Sequence, residues 1–221
     1  MNRSAAVQRI REGLGFIPSG HSLETTIISR LQEAQRDLEK GKTLPRFLLQ
    51  EDQTLVLADG AHTAALPTGF LRESDDNRLH FFPQTSSKPV FLVRRYYTDS
   101  LQARWETLED SPLPVEPVPP STYVIRNTTI DFVTTADQSY TLYWDYYKAG
   151  QTLETDIENE WLENAPEWLI GEAGSRIAAD LRDADAVALF NNLKQAGRAS
   201  VFAEELAAEL ASGPLQMGAN L

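Results

Sequence analysis

The strongest constraint on this chain is a change of hydrophobic period within one stretch, residues 140–182, YTLYWDYYKAGQTLETDIENEWLENAPEWLIGEAGSRIAADL. Its first residues alternate. Tyr140, Leu142, Trp144 and Tyr146 fall on one face, and Thr141, Tyr143 and Tyr147 mostly on the other. A period of two marks a half-buried strand. After a polar turn the period lengthens. An Asn-capped helical turn carries Trp161 and Leu162, and a break at Pro166 opens a second helix with Trp168, Leu169 and Ile170. Three of the four tryptophans lie here, and aromatic side chains supply much of the apolar area of a core or an interface. The stretch reads as the hinge between a β-rich half and a helical half.

Upstream, Ala5, Ala6, Val7, Ile10 and Leu14 share a stripe that predicts a short helix over 4–15, closed by Gly15, Pro18 and Gly20. Ser22 is a good cap for a second helix, in which Leu23, Ile27, Leu31, Ala34 and Leu38 recur at helical spacing until Gly41. From Leu44 the pattern becomes extended. TLVLA (54–58) alternates, Asp59-Gly60 signals a turn, 61–75 reads as irregular backbone around Pro67 and Gly69, and 78–82 is a strand candidate. Residues 99–108 have an Asp cap and helical spacing of Leu101, Trp105 and Leu108. Five prolines in 110–121 make a solvated loop. TYVIR, TTIDFV and SYTLYWDYY then follow as short strands in a β-meander pattern. Helical spacing returns over 184–211, and the last residues carry no regular signal and are expected to be a flexible tail.

Composition removes several function classes. With 20 basic against 32 acidic residues the net charge is −12, which argues against a surface that grips nucleic acid or anionic lipid. There are no cysteines, so disulfides, thiolate metal sites and cysteine nucleophiles are excluded. No apolar run approaches the ~18 residues of a membrane span. The N-terminal MNRSAAVQRIREGLGF lacks the apolar core of a signal peptide, so the expectation is a protein made and folded in a cytoplasm.

A search for chemistry gives little. His21, His62 and His80 have no metal-binding spacing and read as loop or packing residues. Serines form no nucleophile elbow, and no glycine-rich phosphate loop occurs. The Arg94-Arg95-Tyr96-Tyr97 cluster mixes cations with aromatics, as nucleic-acid surfaces do, but it stands alone in an acidic chain and reads as strand or interface packing. Glu154, Asp156, Glu158, Glu160 and Glu163 cluster. Paired carboxylates can do acid–base work, but no calcium loop is present. Acidic residues in a first helical turn are also favoured by the helix dipole. No cofactor is implied.

Taken together, four stretches resemble the head-to-tail adaptor (connector) proteins of short-tailed and related tailed bacteriophages. They are LQEAQRDLE followed by LPRFLLQEDQTLVLADG; LPTGFLRESDDNRLHFF; TYVIRNTTIDFVTTADQSYTLYWDYY; and NEWLENAPEWLIGEAGSRIAADL. The match covers roughly residues 22–200. The stretch GEAGSRIAADLRDAD is more polar than is usual in such proteins, and the proline-rich loop is longer.

The resemblance implies an α+β fold, a helical bundle carrying an inserted small antiparallel β domain. The expected organisation is N-terminal bundle helices over 1–43, a β-rich domain over 44–150 with its short helix and proline-rich loop, C-terminal bundle helices over 151–212, and a tail over 213–221. It implies a virion structural protein and not an enzyme. Copies form a ring, expected to be dodecameric, beneath the portal protein. The ring extends the channel through which genomic double-stranded DNA passes without sequence-specific binding, and presents a platform for the tail nozzle, tail tube or another tail component. Assembly is expected in the host bacterial cytoplasm, with no membrane involved. On this reading Phe202, Leu206, Leu210, Leu215 and Met217 are candidate portal-docking residues, in a segment from Ala199 that folds on its partner. Tyr147, Trp161 and Trp168 are anchors of either a subunit interface or the core. Glu33, Glu39, Glu154, Asp156, Glu158, Glu160 and Glu163 are candidates to face the channel. Two rivals remain at this stage: a non-viral interaction module using its aromatic β edge, and a hydrolase with a carboxylate pair near Asp156 and Glu160.

Overall fold

A computed structural model describes residues 1–15, 23–84, 86–95, 117–156 and 158–212, with backbone only over 208–212. The predicted helix at 99–108 with Trp105, most of the proline-rich loop, His21, Ser22, Tyr96, Tyr97, Leu215 and Met217 lie outside the described residues. The class is α+β. The described residues divide into two compact units, 1–48 with 149–221, and 49–148.

The first unit is helical: α1 (Arg3–Gly13), α2 (Leu23–Glu39), α3 (Glu160–Asn164), α4 (Pro166–Asp180) and α5 (Ala184–Ser212). Asn2 caps α1 by accepting from Ala5 N at 3.1 Å. Ala6, Val7 and Ile10 are buried in α1, whereas Ala5 faces solvent. In α2 the predicted stripe buries Ile27, Leu31 and Ala34. Asn159 caps α3 by accepting from Trp161 N (2.9 Å) and Leu162 N (3.2 Å), and Pro166 occupies the first turn of α4. The α4 helix is central, packing on α1, α2, α3 and α5.

Its glycines explain how close the α5 contact is. A methyl group at Gly171 would stand 2.7 Å from Lys194 Cα, and one at Gly174 would stand 2.6 Å from Phe190 Cγ. Gly197 of α5 faces the Glu167–Trp168 backbone in the same way. Phe190 also lies against Gly13 of α1, so one ring fills the space that two glycines leave. Charges brace the outside. Glu172 of α4 pairs with Arg176 and with Lys194 of α5, each at 2.7 Å, and Arg176 reaches Asp37 of α2 at 2.8 Å.

The second unit is built from β1 (Leu49–Leu57), β2 (Thr63–Ala65), β3 (Phe70–Glu73), β4 (His80–Phe81), β5 (Val90–Phe91), β6 (Val93–Arg94), β7 (Thr122–Arg126), β8 (Thr129–Phe132) and β9 (Tyr140–Lys148). One sheet runs β1-β9-β4-β5, with β3 also on β9, and the other runs β2-β8-β7-β6. This corrects the meander reading. The β7–β8 hairpin belongs to one sheet while β9 crosses to the other and pairs antiparallel with β1. The β6–β7 pair is parallel. Residues 63–65 and 70–73 are strands and not irregular backbone.

The aromatic strand behaves as its alternation predicts. Tyr140, Leu142, Trp144 and Tyr146 are buried, and they join Phe81, Leu79, Tyr123 and Phe132 in a core drawn from both sheets. Asp52, at a positive φ of 53°, sits in a bulge of β1 and donates its N–H to Asp145 Oδ1 at 2.8 Å. Buried Glu73 accepts from Leu79 N at 3.1 Å and from the Tyr123 hydroxyl, and it pairs with Arg94 at 3.4 Å. Burial first, then the adjacent Glu73 charge, pushes the Tyr123 hydroxyl well above its ordinary pKa.

Candidate functional site

The carboxylates singled out in the sequence do not converge. Glu39 turns inward at the end of α2. Its Oε1 accepts from Gln35 Nε2 (2.9 Å), Gly150 N (3.0 Å) and Trp161 Nε1 (3.0 Å). Gln35 is itself buried and donates to the Gly150 and Gln151 carbonyls at 3.2 and 3.1 Å. This network fixes the 149–151 backbone against α2 and α3. Glu39 and Glu154 line one small cleft of about 250 Å3 together with Gln32 and Arg36. Glu33 pairs with Arg30 at 2.7 Å.

Asp156 has a different task. It accepts from Ser4 N and Ser4 Oγ, each at 2.8 Å, and from Asn2 Nδ2 at 3.3 Å. It thus caps the exposed N-terminus of α1, where free N–H groups favour an anion. The Ser4 backbone bond, with the Ser4 hydroxyl second, holds its carboxyl below the ordinary range. Glu160 accepts from Gln151 N at 2.7 Å. Glu160 and Glu163 occupy the first turn of α3, and Glu158 is exposed beside a bridge to Asn2. Asp156 and Glu160 therefore serve separate backbone donors. Among the described residues no group of three or more His, Asp or Glu is placed to hold a metal ion, and no helix is long and apolar enough to cross a membrane.

The aromatic candidates divide by unit. Trp161 and Trp168 are buried in the helical unit, edge to face at 5.6 Å. Phe47 packs edge-on to Trp161 at 5.2 Å. Tyr147 is half-buried in β9, with the Arg72 guanidinium 5.2 Å above its ring. On α5, Phe202 lies 5.7 Å from Trp168, and Arg198 stands over both rings. Leu206 is 58% exposed. The helix is continuous to Ser212, so residues 199–212 are already ordered. That corrects the expectation of a segment disordered from Ala199. Cutting the chain there would also remove buried Val201 and the cover that Phe202 gives Trp168.

Sequence reasoning missed a surface on the five-stranded sheet. Register aligns Thr54, Tyr143, His80 and Phe91 in one row across β1, β9, β4 and β5. His80 is packed between Tyr143 (5.9 Å), Phe91 (5.0 Å) and Phe82 (5.5 Å). Phe91 is 57% and Val56 62% exposed. Beside them Phe82, Val90, Pro119, Tyr140 and Tyr143 line a cleft of about 620 Å3. Solvent-facing apolar side chains grouped in this way mark binding surfaces. The alternation of His80 with Phe82 and of Thr141 with Tyr143 was the available signal.

The helical unit with its inserted sheets thus offers surfaces and a rigid frame. The family model described as "SU10 adaptor protein" matches residues 1–218. The chain belongs to the SU10 adaptor family, a family of phage head-to-tail adaptors. A search of curated proteins finds no match. This adaptor is a virion structural protein.

Proposed function

We propose that twelve copies of this adaptor form a ring below the portal protein, continue its DNA channel and give the tail its attachment platform. The match over residues 1–218 carries the reading, since it takes in both units. Ring closure needs one face of each subunit to meet a different face of the next. The protein acts by shape and copy number and turns over no substrate. Its net charge of −12 suits a channel wall, because DNA phosphates are repelled and do not stick. Exposed Glu154, Glu158 and Glu163 and half-exposed Glu33 are the channel-facing candidates that the fold leaves most available. The adaptor is assembled in the host cytoplasm and ends at the head–tail junction.

Portal docking is assigned to the C-terminal part of α5 and the residues after it, with Leu206 as the testable anchor and Leu210, Leu215 and Met217 beyond it. Phe202 supports this end from inside. Mixing purified adaptor with the portal of the same virus and imaging by negative stain tests the reading. A twelvefold collar on the portal is expected, and portals that stay bare with the native chain would reject it. Leu206→Asp is expected to abolish collars while leaving the melting temperature unchanged. Undiminished collars would move the docking surface elsewhere.

A further inference from the structure

We infer that the two open ends of the five-stranded sheet meet between neighbouring copies, the β5 end of one subunit docking on the β1 end of the next. This rests on the ring proposed above and names one contact that closes it.

The order β1-β9-β4-β5 puts β1 and β5 at opposite ends of one sheet. Edge strands present backbone N–H and C=O groups to any strand that approaches. Each end also carries exposed apolar side chains, Phe91 and Val93 at the β5 end and Val56 on β1. Register places Phe91 and Thr54 in one row on one face of the sheet, and Val56 follows Thr54 at the period of two, so Val56 and Phe91 share that face. A neighbour added edge to edge would extend the aromatic row without changing sides.

Charge decides which end meets which. Exposed Lys88 and Arg95 flank β5 and β6, while exposed Asp52 and Asp59 mark the two ends of β1. Two β5 ends brought together would oppose cations, and two β1 ends would oppose carboxylates. Only the mixed pairing is complementary, and like-charge juxtaposition rejects the symmetric alternatives. A contact between unlike faces propagates from copy to copy and closes into a ring when the rotation allows. The occupant of this surface is accordingly a second copy of the same chain.

The absence of native cysteine gives a clean test. The full-length double variant Val56→Cys/Phe91→Cys is assembled on the portal and treated with a short bis-maleimide. Collars that yield a ladder of covalent multimers on a denaturing gel support the contact, with Val56→Cys alone stopping at dimers. Collars that yield only monomers overturn this inference and leave the ring standing. No collar even from the native chain removes the ring, and this contact with it. Should the cysteines themselves prevent collars, charge reversal decides. Lys88→Glu/Arg95→Glu is expected to weaken collar formation about tenfold or more, and adding Asp52→Lys/Asp59→Lys is expected to restore it. No weakening, or no restoration, overturns the contact.

Discussion

Trp161 donates its indole N–H to Glu39 Oε1 across 3.0 Å, tying the first turn of α3 to the last turn of α2. Glu39 → Ala would leave this donor, Gly150 N and Gln35 Nε2 without their acceptor. Orphaned buried donors cost about 1–3 kcal/mol, and urea unfolding followed by tryptophan fluorescence should show a loss of that size. Glu33→Gln, on a half-exposed ion pair with Arg30, should change stability by less than about 1 kcal/mol. Equal effects would mean that Glu39 has no special structural task.

The crossing of α4 and α5 should tolerate no added methyl. Gly174→Ala would press on the Phe190 ring, and Gly171→Ala on the Lys194 backbone. Overpacking of this kind costs about 1–3 kcal/mol. Because a ring can give way and a backbone cannot, Phe190→Leu should recover part of the Gly174→Ala loss and none of the Gly171→Ala loss. Thermal melts of the four single and two double variants read this directly.

Acid should loosen the helical unit first. Burial alone would raise the Glu172 carboxyl, but hydrogen bonds from Lys194 and Arg176 outweigh it and hold the group below its ordinary value near 4.5. The Arg176 hydrogen bond likewise lowers Asp37. A depressed folded pKa means that the stabilisation is complete above about pH 5 and is lost as pH falls through 4 towards the folded values. Glu172→Gln should lower stability at pH 7 and flatten its dependence below pH 5, as measured by denaturant midpoints across that range.

Asp156 should govern the first turn of α1. Asp156→Ala is expected to speed amide exchange at Ser4 and Ala5, while exchange in α4 stays unchanged. If the first turn of α1 exchanges as slowly as before, the cap is dispensable.

The parts of the fold legible in sequence were those with a long, strict period. The burial of Tyr140, Leu142, Trp144 and Tyr146, the α2 stripe, the Asn cap of α3 and the Pro166 start of α4 all follow from local spacing. The strands at 63–65 and 70–73 were not legible. They are too short for a period, and pairing with distant β8 and β9 defines them. The meander failed for a related reason. The 136–138 turn is compatible with a hairpin, and the long β1–β9 ladder, whose partners are about 90 residues apart in sequence, decides the pairing instead. Among the acidic residues, composition could not tell the inward Glu39 from its exposed neighbours, because Gly150 and Trp161 meet it only in three dimensions. The exposed row of Phe91, His80 and Tyr143 is likewise a product of register.

Counting subunits tests the central claim most directly. Native mass spectrometry of the adaptor bound to the portal of its own virus should show the portal mass plus twelve chains of 24.7 kDa, with no stable species of lower occupancy at saturation. A saturated complex holding one or two copies, or a portal that gains no mass at all, would contradict the account.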